Sequence, residues 1–296
     1  MNETRRHRWG VALAVVAACG FSFKAILIKL AYPYGVDAVT LLTMRMAFAL
    51  PVFLWVGFSS AQGAPPLDRR DWLKIAALGM LGYYGASLLD FLGLQYISAG
   101  LERLILFTYP MLTLLLGVAL HGRAIRRREM LAMLLCYAGI AAAFAHDLRF
   151  AGDPARIWLG AGFVFASAVS YACYLSGSGA MIVKLGSARF TALAMLFSTL
   201  VTCGHFFTTH TLQSFIQPWP VVAYGVAMAT VSTVLPVFAL SMAIRQLGSS
   251  RAAMIGMVGP LITVVFGWLL LGEAFSATQM LGLGLVVLGI GIASRQ

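Results

Sequence analysis

Long apolar runs separated by short polar breaks dominate the sequence. A helix needs about 20 apolar residues to cross the hydrocarbon core of a bilayer. Pro65-Pro66 and the segment 217–220 mark two of the breaks. The pattern predicts ten membrane-spanning helices, at residues 9–31, 36–58, 73–96, 100–120, 128–145, 157–178, 187–208, 219–242, 249–271 and 277–293. The loops between them are too short to hold a soluble domain.

The composition supports the bilayer as the main solvent of this chain. Of 296 residues, 60% are hydrophobic and 10% are charged, and the mean hydropathy is +0.88. A soluble domain carries about 25% charged residues. We therefore predict an all-α integral membrane protein with ten transmembrane helices, in contact with the lipid bilayer.

Basic residues concentrate in alternate loops of this pattern. The net charge of +11 would suggest a nucleic-acid partner in a soluble protein. With the amino terminus inside, Arg103, Arg149 and Arg156 fall on the outer side, while Lys24, Lys29 and Arg45 fall within helices. The other fifteen lie inside: Arg5, Arg6, Arg8, Arg69, Arg70, Lys74, Arg123, Arg126, Arg127, Arg128, Lys184, Arg189, Arg245, Arg251 and Arg295. The positive-inside rule thus places both termini in the cytoplasm of a bacterial inner membrane, and no nucleic-acid partner is needed.

The two halves of the chain repeat each other. Residues 94–144 align without gaps with 244–294, so that Tyr109-Pro110 corresponds to Gly259-Pro260. This predicts one five-helix repeat at 1–146 and a second at 147–296. Because five is odd, the two repeats must be inverted relative to each other. Inverted repeats are typical of transporters whose substrate site lies near the membrane midplane between them.

Several motifs resemble a known family. Segment 249–253, Gly259-Pro260-Leu261 and the segment 271–275, followed by glycines in the last span, resemble the end of an EamA-type repeat of the drug/metabolite transporter superfamily. Segment 40–45 is similar to the family's early arginine region. The resemblance covers nearly the whole chain and implies a ten-helix basket with a central cavity, whose substrates are small metabolites, often amino acids. The first repeat departs at His121-Gly122-Arg123, where the family often has Gly-Glu.

Asp90 is the foremost candidate for a functional residue. An acidic side chain inside a membrane helix costs about 2.5–3.5 kcal/mol on insertion scales, so it needs a cavity or a partner. Tyr83, Ser87 and Asp90 share one helix face. The alternative to a functional role is a structural ion pair with Lys24 or Arg45, and both interpretations stay open at this stage.

Other spans carry similar polar stripes. We predict a wet, substrate-binding cavity formed by these stripes and Lys24, although membrane hydroxyls also commonly bond neighbouring helices. The members beyond the third span are Glu102, Tyr109 and Thr113; Ser167, Tyr171, Tyr174 and Ser178; and Ser232 and Thr233. Pro110, Pro236 and Pro260 are predicted to break the backbone or to take part in gating.

Lys24 and the small residues complete the candidates. Lys24, with Leu175 as its counterpart in the second repeat, could bind a substrate carboxylate, form an ion pair or extend toward the headgroups. Arg45 is interpreted as a structural strut and Glu273 as an interface residue. Small residues on the fifth and tenth spans predict a close-packed scaffold: Ala132, Cys136, Gly139, Ala143, Gly282, Gly284, Gly289 and Gly291.

No enzyme signature accompanies these features. The sequence has no nucleophile elbow, zinc-protease motif or phosphate loop, and its cysteines and histidines lack metal-ligand spacing. We therefore expect no cofactor and no metal. The leading hypothesis is a secondary transporter that exports small metabolites, with amino acids first, by alternating access. The alternatives are efflux of hydrophobic cations and, from another class, an intramembrane lipid-handling, structural or enzymatic protein. Proton coupling and the oligomeric state stay open.

Overall fold

Helices form every regular element in the part of the chain that the structure describes. The structure is a computed structural model, and it describes residues 3–64, 66–121, 127–150, 153–247, 255, 258–273 and 276–294. The first-half helices are α1 (Glu3–Ala31), α2 (Ala38–Ala61), α3 (Arg69–Gly79), α4 (Ala86–Gly93), α5 (Ala99–Leu106), α6 (Tyr109–His121) and α7 (Arg127–Phe150). The second-half helices are α8 (Pro154–Leu185), α9 (Ser187–Thr209), α10 (Trp219–Ala229), α11 (Leu235–Leu247), α12 (Gly259–Leu271) and α13 (Ala277–Ser294).

Some of these helices are long and apolar enough to span a bilayer. Within the described ranges there are seven: Arg8–Tyr34, Ala38–Ala61, Arg69–Gly93, Ala99–Ala119, Pro154–Leu185, Ser187–Thr209 and Trp219–Leu240. Three further apolar helices are shorter: Met130–Ala145, Gly259–Leu271 and Ala277–Gly289. The molecule is therefore an all-helical, multi-pass membrane protein. The start of the predicted ninth span, at 249–254, lies outside the described residues.

Helix starts follow local capping chemistry rather than the apolar runs alone. The third span begins at Arg69, because the side chain of Asp68 accepts from Asp71 N at 2.6 Å in a capping box. Asp37 accepts from Val39 N at 2.8 Å and starts α2. Asp153 does the same for α8, which Pro154 opens. These caps explain why α3 and α8 begin a few residues before the predicted apolar boundary, and why α2 begins at Ala38, two residues after it.

Two helices contain a widened, π-helical turn at corresponding positions. The first π turn (Met80–Gly85) joins α3 to α4, and the second (Thr230–Val234) joins α10 to α11. Thr233 Oγ1 donates to Met228 O, five residues back, at 2.9 Å. Such turns are rare and shift the hydrogen-bond register of the helix. The sequence analysis treated both spans as continuous helices and missed these turns.

The first helix of each half packs on the helices of the other half. Helix α1 lies against α10, α11 and α12, whereas α8 lies against α3, α4, α5 and α6. Helices α2 and α9 pack on each other between them. The largest buried apolar cluster combines α1, α2, α4 and α10, with members such as Ile28, Leu41 and Phe91. Neither half therefore buries its core without the other.

Helices α7 and α13 form a separate, close-packed pair. A Cβ atom added to Gly139 would meet the carbonyl oxygen of Gly282, and one added to Gly289 would lie 2.6 Å from Ala132 O. The Sγ atom of Cys136 lies 3.6 Å from Val286 O. Close backbone approach through small residues is typical of packed membrane helices. The predicted close packing is present at Gly139, Gly282 and Gly289, whereas a Cβ atom on Gly284 or Gly291 would meet nothing within 4 Å. The assignment of the two spans to the scaffold stays a prediction.

Candidate functional site

An ion pair links α1 to α4 in the interior. The Nζ atom of Lys24 lies 2.7 Å from Oδ2 of Asp90, and their side chains are 16% and 1% exposed. Asp90 is three residues from the end of α4 at Gly93, nearer the helix end than the sequence analysis placed it. Of the roles left open for both residues, the structure realises the mutual ion pair. A buried carboxylate without a cation would be far more costly than this arrangement.

A second acidic and basic pair stands next to the first, at the start of α5. Glu102 is fully buried, and neither oxygen of its carboxylate has a hydrogen-bond partner among the described residues. The Nε atom of Arg103 lies 3.8 Å from Glu102 Oε2, and its Nη2 donates to Phe21 O at 2.7 Å. The sequence analysis assigned Arg103 to the outer loops. The structure places this residue within helix α5, 5% exposed and among these interior groups, so it belongs with the basic residues inside helices.

Arg45 reaches the same region from α2. Its Nη2 donates to Ser87 Oγ at 2.9 Å, and its guanidinium lies 5.2 Å from the centre of the Phe91 ring. The Nε atom is buried without a hydrogen-bond acceptor. The interpretation of Arg45 as a strut between helices agrees with these contacts. They leave part of its hydrogen-bonding capacity unused, and its charge acts on Asp90.

Four tyrosines form a second group at the first π turn. Tyr83 Oη and Tyr174 Oη lie 2.9 Å apart. Tyr171 packs edge-on against Tyr109, with 5.0 Å between ring centres, and stacks on Tyr174 at 5.6 Å. Polar stripes predicted separately on three helices thus come together between α8 and the first half. The charge of Arg103 also acts on the hydroxyl group of Tyr109, so the tyrosine group lies within electrostatic reach of the charged group.

Most predicted hydroxyl ligands bond the protein itself. Ser167 Oγ donates to Ala86 O at 2.6 Å across helices, and Ser178 Oγ donates to Leu175 O at 3.1 Å within its own helix. Thr113 Oγ1 donates to Tyr109 O at 2.7 Å. Ser232 differs, because its Oγ is buried without a hydrogen-bond partner. It remains a candidate ligand in the second π turn, beside Thr233.

The sequence matches the EamA-like transporter family twice, over residues 8–145 and 158–295. The chain belongs to this family.

Full-length relatives agree with this membership. The transporter YcbK of Bacillus subtilis, described as uncharacterized, is 30% identical over 96% of this chain and 92% of its own length. An uncharacterized transporter of Archaeoglobus fulgidus is 22% identical over 98% and 99%. A protein crystal structure aligns with a TM-score of 0.67 at 16% identity and covers 96% of each chain, which shows a shared fold. An EamA-like chain with such relatives points to transport rather than catalysis.

The three prolines predicted as backbone breaks in this EamA-like chain begin helices. Pro110, Pro236 and Pro260 are each the second residue of a helix, in α6, α11 and α12. Pro110 and Pro260 stand in the first turn after a break, where a missing N–H costs no hydrogen bond. Pro236 instead follows the second π turn within the continuous helix Trp219–Leu240, where the widened turn accommodates its missing N–H. Phe107 and Thr108 separate α5 from α6 just before Pro110, so this predicted break is present. A gating role for these prolines stays a prediction.

The family's Gly-Glu motif connects the two halves. The carboxylate of Glu273 accepts from Ala99 N at 2.8 Å and from Gly100 N at 3.3 Å. It thereby caps α5 from the end of α12, where a carboxylate also meets the positive end of the helix dipole. The sequence analysis did not predict this capping contact, and the position of Glu273 at the membrane interface stays a prediction. In the first half the corresponding residue is Arg123, which carries no carboxylate and lies outside the described residues.

Sequence reasoning missed Arg103 and Gly82 as parts of the site. A Cβ atom on Gly82 would overlap the ring of Tyr174, so only glycine lets that ring lie on the π turn. The signal for Arg103 was its position four residues into a predicted span. Arg103 was overlooked because the positive-inside rule counted it with the basic residues of the outer loops.

Proposed function

We propose that this chain is a secondary transporter that exports small metabolites, with amino acids first, by alternating access through a central cavity. The proposal includes ten spans, two inverted five-helix repeats at 1–146 and 147–296, and cytoplasmic termini in a bacterial inner membrane. The tyrosine group carries it, because phenol rings from α6, α8 and the first π turn meet between the two halves, with Tyr174 buried and the other three partly exposed. That interface is where inverted-repeat transporters bind their substrates.

Recurring irregularities support the two-repeat part of the proposal. The π turns at Met80–Gly85 and Thr230–Val234, and the breaks before Pro110 and Pro260, recur at the same spacing. Counting the three shorter apolar helices as spans brings the total from seven to ten. In this arrangement α7 and α13 serve as the scaffold, and α1 and α8 cross between the halves.

The Lys24–Asp90 ion pair favours some candidate substrates over others. Efflux of hydrophobic cations would require a free carboxylate, but Asp90 already holds an ammonium group at 2.7 Å. The interior instead offers both charge signs and aromatic faces, which suits small zwitterionic metabolites. An intramembrane lipid-handling protein has less support, since a buried ionic group is poorly suited to acyl chains.

A counterflow screen in proteoliposomes tests the proposal. We expect purified protein preloaded with unlabelled amino acids to take up at least one labelled amino acid, and not labelled tetraphenylphosphonium. Tyr171→Ala should lower this uptake by roughly tenfold, since aromatic contacts in a site contribute about 0.5–1.5 kcal/mol beyond area burial.

Tyr137→Ala is the matched control, because Tyr137 lies 39% exposed on the scaffold helix α7. Its uptake should equal that of the unaltered protein. Counterflow of tetraphenylphosphonium without any amino acid would replace the proposal with cation efflux. Equal loss in both variants would remove the site from the tyrosine group.

A further inference from the structure

The interior charged group is one anion short of neutrality. It contains three cations, Lys24, Arg45 and Arg103, and two carboxylates, Asp90 and Glu102. Four of these five residues are at most 5% exposed. An uncompensated charge in such surroundings is costly. The group therefore favours a third anion.

Among the described residues, Arg45 is the cation of this group that has no carboxylate within ion-pair distance. The Nε atom of Arg103 also lacks a hydrogen-bond acceptor, but the carboxylate of Glu102 lies 3.8 Å from it. Asp90 is held by Lys24, and Glu102 lies nearest Arg103. Arg45 has a serine hydroxyl and an aromatic face as its contacts, and its Nε is buried without an acceptor. A guanidinium binds a carboxylate through two parallel hydrogen bonds, and here no such partner is present among the described residues.

The charged side chains of this group differ in how much of their surface is exposed. The Lys24 side chain is 16% exposed, whereas that of Asp90 is 1% exposed and Glu102 is fully buried. Of the Lys24–Asp90 ion pair, the ammonium group is therefore the more accessible member. This arrangement selects an anionic group on the solute.

We infer that the transported solute carries a carboxylate, which binds Lys24 in place of Asp90 and releases Asp90 to Arg45. This inference rests on the proposed function and names the chemical class of its substrate. In the bound state Lys24 faces the substrate, Asp90 faces Arg45, and Glu102 faces Arg103. All charges are then paired. In the empty state Asp90 acts as an internal counter-ion for Lys24.

Ligand-induced thermal stabilisation of the purified full chain tests this inference. The probes are three mixtures: the proteinogenic amino acids, short alkanoates, which keep only the carboxylate, and short alkylamines, which keep only the ammonium. We expect the first two mixtures to stabilise the protein and the alkylamines to leave it unchanged.

Variants of Lys24 connect the response to the charged group. Lys24→Met should weaken alkanoate binding by roughly tenfold to a hundredfold, the range for a hydrogen bond to a charged group. Because Lys24→Met also removes the buried partner of Asp90, its unliganded unfolding temperature should fall, and the alkanoate response is measured as the shift from each variant's own unliganded value. Lys24→Arg keeps the charge and should keep binding. Lys29→Met, on the same helix outside the group, is the control.

Distinct outcomes separate this inference from the proposed function. Stabilisation by alkylamines alone, an alkanoate response that survives Lys24→Met, or no response to either carboxylate mixture would overturn the inference. Counterflow of amines with no carboxylate would leave transport standing and exclude the carboxylate site. Absence of counterflow for all three mixtures would remove the proposed function itself.

Discussion

Helices α1 and α8 occupy corresponding places in the two halves, yet they use different chemistry there. Both cross into the opposite half and press against a π turn. A Cβ atom on Gly20 would lie 2.5 Å from Val231 O, and Ser170 Oγ donates to Leu81 O at 2.7 Å. Both residues of the second contact differ by 150 positions from those of the first. The backbone arrangement is thus duplicated.

This register pairs Lys24 with Tyr174 rather than with Leu175, so the counterpart inferred from sequence was wrong by one position. Lys24 binds Asp90 through charges, while Tyr174 binds Tyr83 through neutral hydroxyls. Since the surrounding backbone is similar, the difference lies in the side chains. One position in the pair has become ionic and the other aromatic, which makes the interior asymmetric.

Removing the carboxylate of the Lys24–Asp90 pair should have the largest effect on stability and on transport. Asp90→Asn leaves three cations with a single carboxylate, and breaking a buried ion pair costs about 3–5 kcal/mol. We expect a large drop in the unfolding temperature of the purified protein and loss of counterflow. Lys24→Met added to Asp90→Asn should recover much of the stability.

The matched control for this comparison is Asp153→Asn. Asp153 forms an exposed ion pair with Arg156, and the side chain of Asp153 is 56% exposed and that of Arg156 is 72% exposed. It should change little, because exposed pairs contribute about 0–1 kcal/mol. If Asp90→Asn unfolds at the same temperature as Asp153→Asn, the ionic group has no structural weight. Normal counterflow by Asp90→Asn would also remove Asp90 from the transport mechanism.

The close approach of α1 to the second π turn should make Gly20 sensitive to a small substitution. Gly20→Ala forces a methyl group against Val231 O and the ring of Pro236, and overpacking typically costs about 1–3 kcal/mol. Thermal unfolding should register this cost clearly. Gly162→Ala on α8, where nothing lies within 4 Å, is the control. Equal behaviour of the two alanines would mean that α1 does not approach the π turn closely.

The aromatic pair should be the least sensitive to loss of its polar contact. Tyr83→Phe removes the hydrogen bond to Tyr174 but keeps both rings, and interhelical hydrogen bonds in membranes average about 0.6 kcal/mol. We therefore expect a small change in unfolding temperature. Tyr34→Phe, at an exposed position, sets the background. A loss as large as that of Asp90→Asn would contradict the distinction between the ionic and the aromatic pair.

The apolar runs and the small residues were sufficient to predict the helical membrane fold and close packing at the fifth and tenth spans, although not that these two spans pack on each other. Both predictions depend on local properties, namely the length of a run and the spacing of glycines such as Gly282 and Gly289 on one face. The polar stripes on separate helices were also visible. Their assembly into one tyrosine group was not, since a stripe gives the direction of a side chain on its own helix only.

The sequence by itself determined that this chain lies in a membrane as helices, that its halves resemble each other and that Asp90 needs a partner. Tertiary structure decided which partner it has, because Lys24 and Arg45 were both open choices until α1, α2 and α4 were packed. It also buried Arg103 in the interior of the protein and widened one turn in each of two spans into a π turn. These features arise from contacts between distant segments, where close packing and the cost of an unpaired charge outweigh local preference.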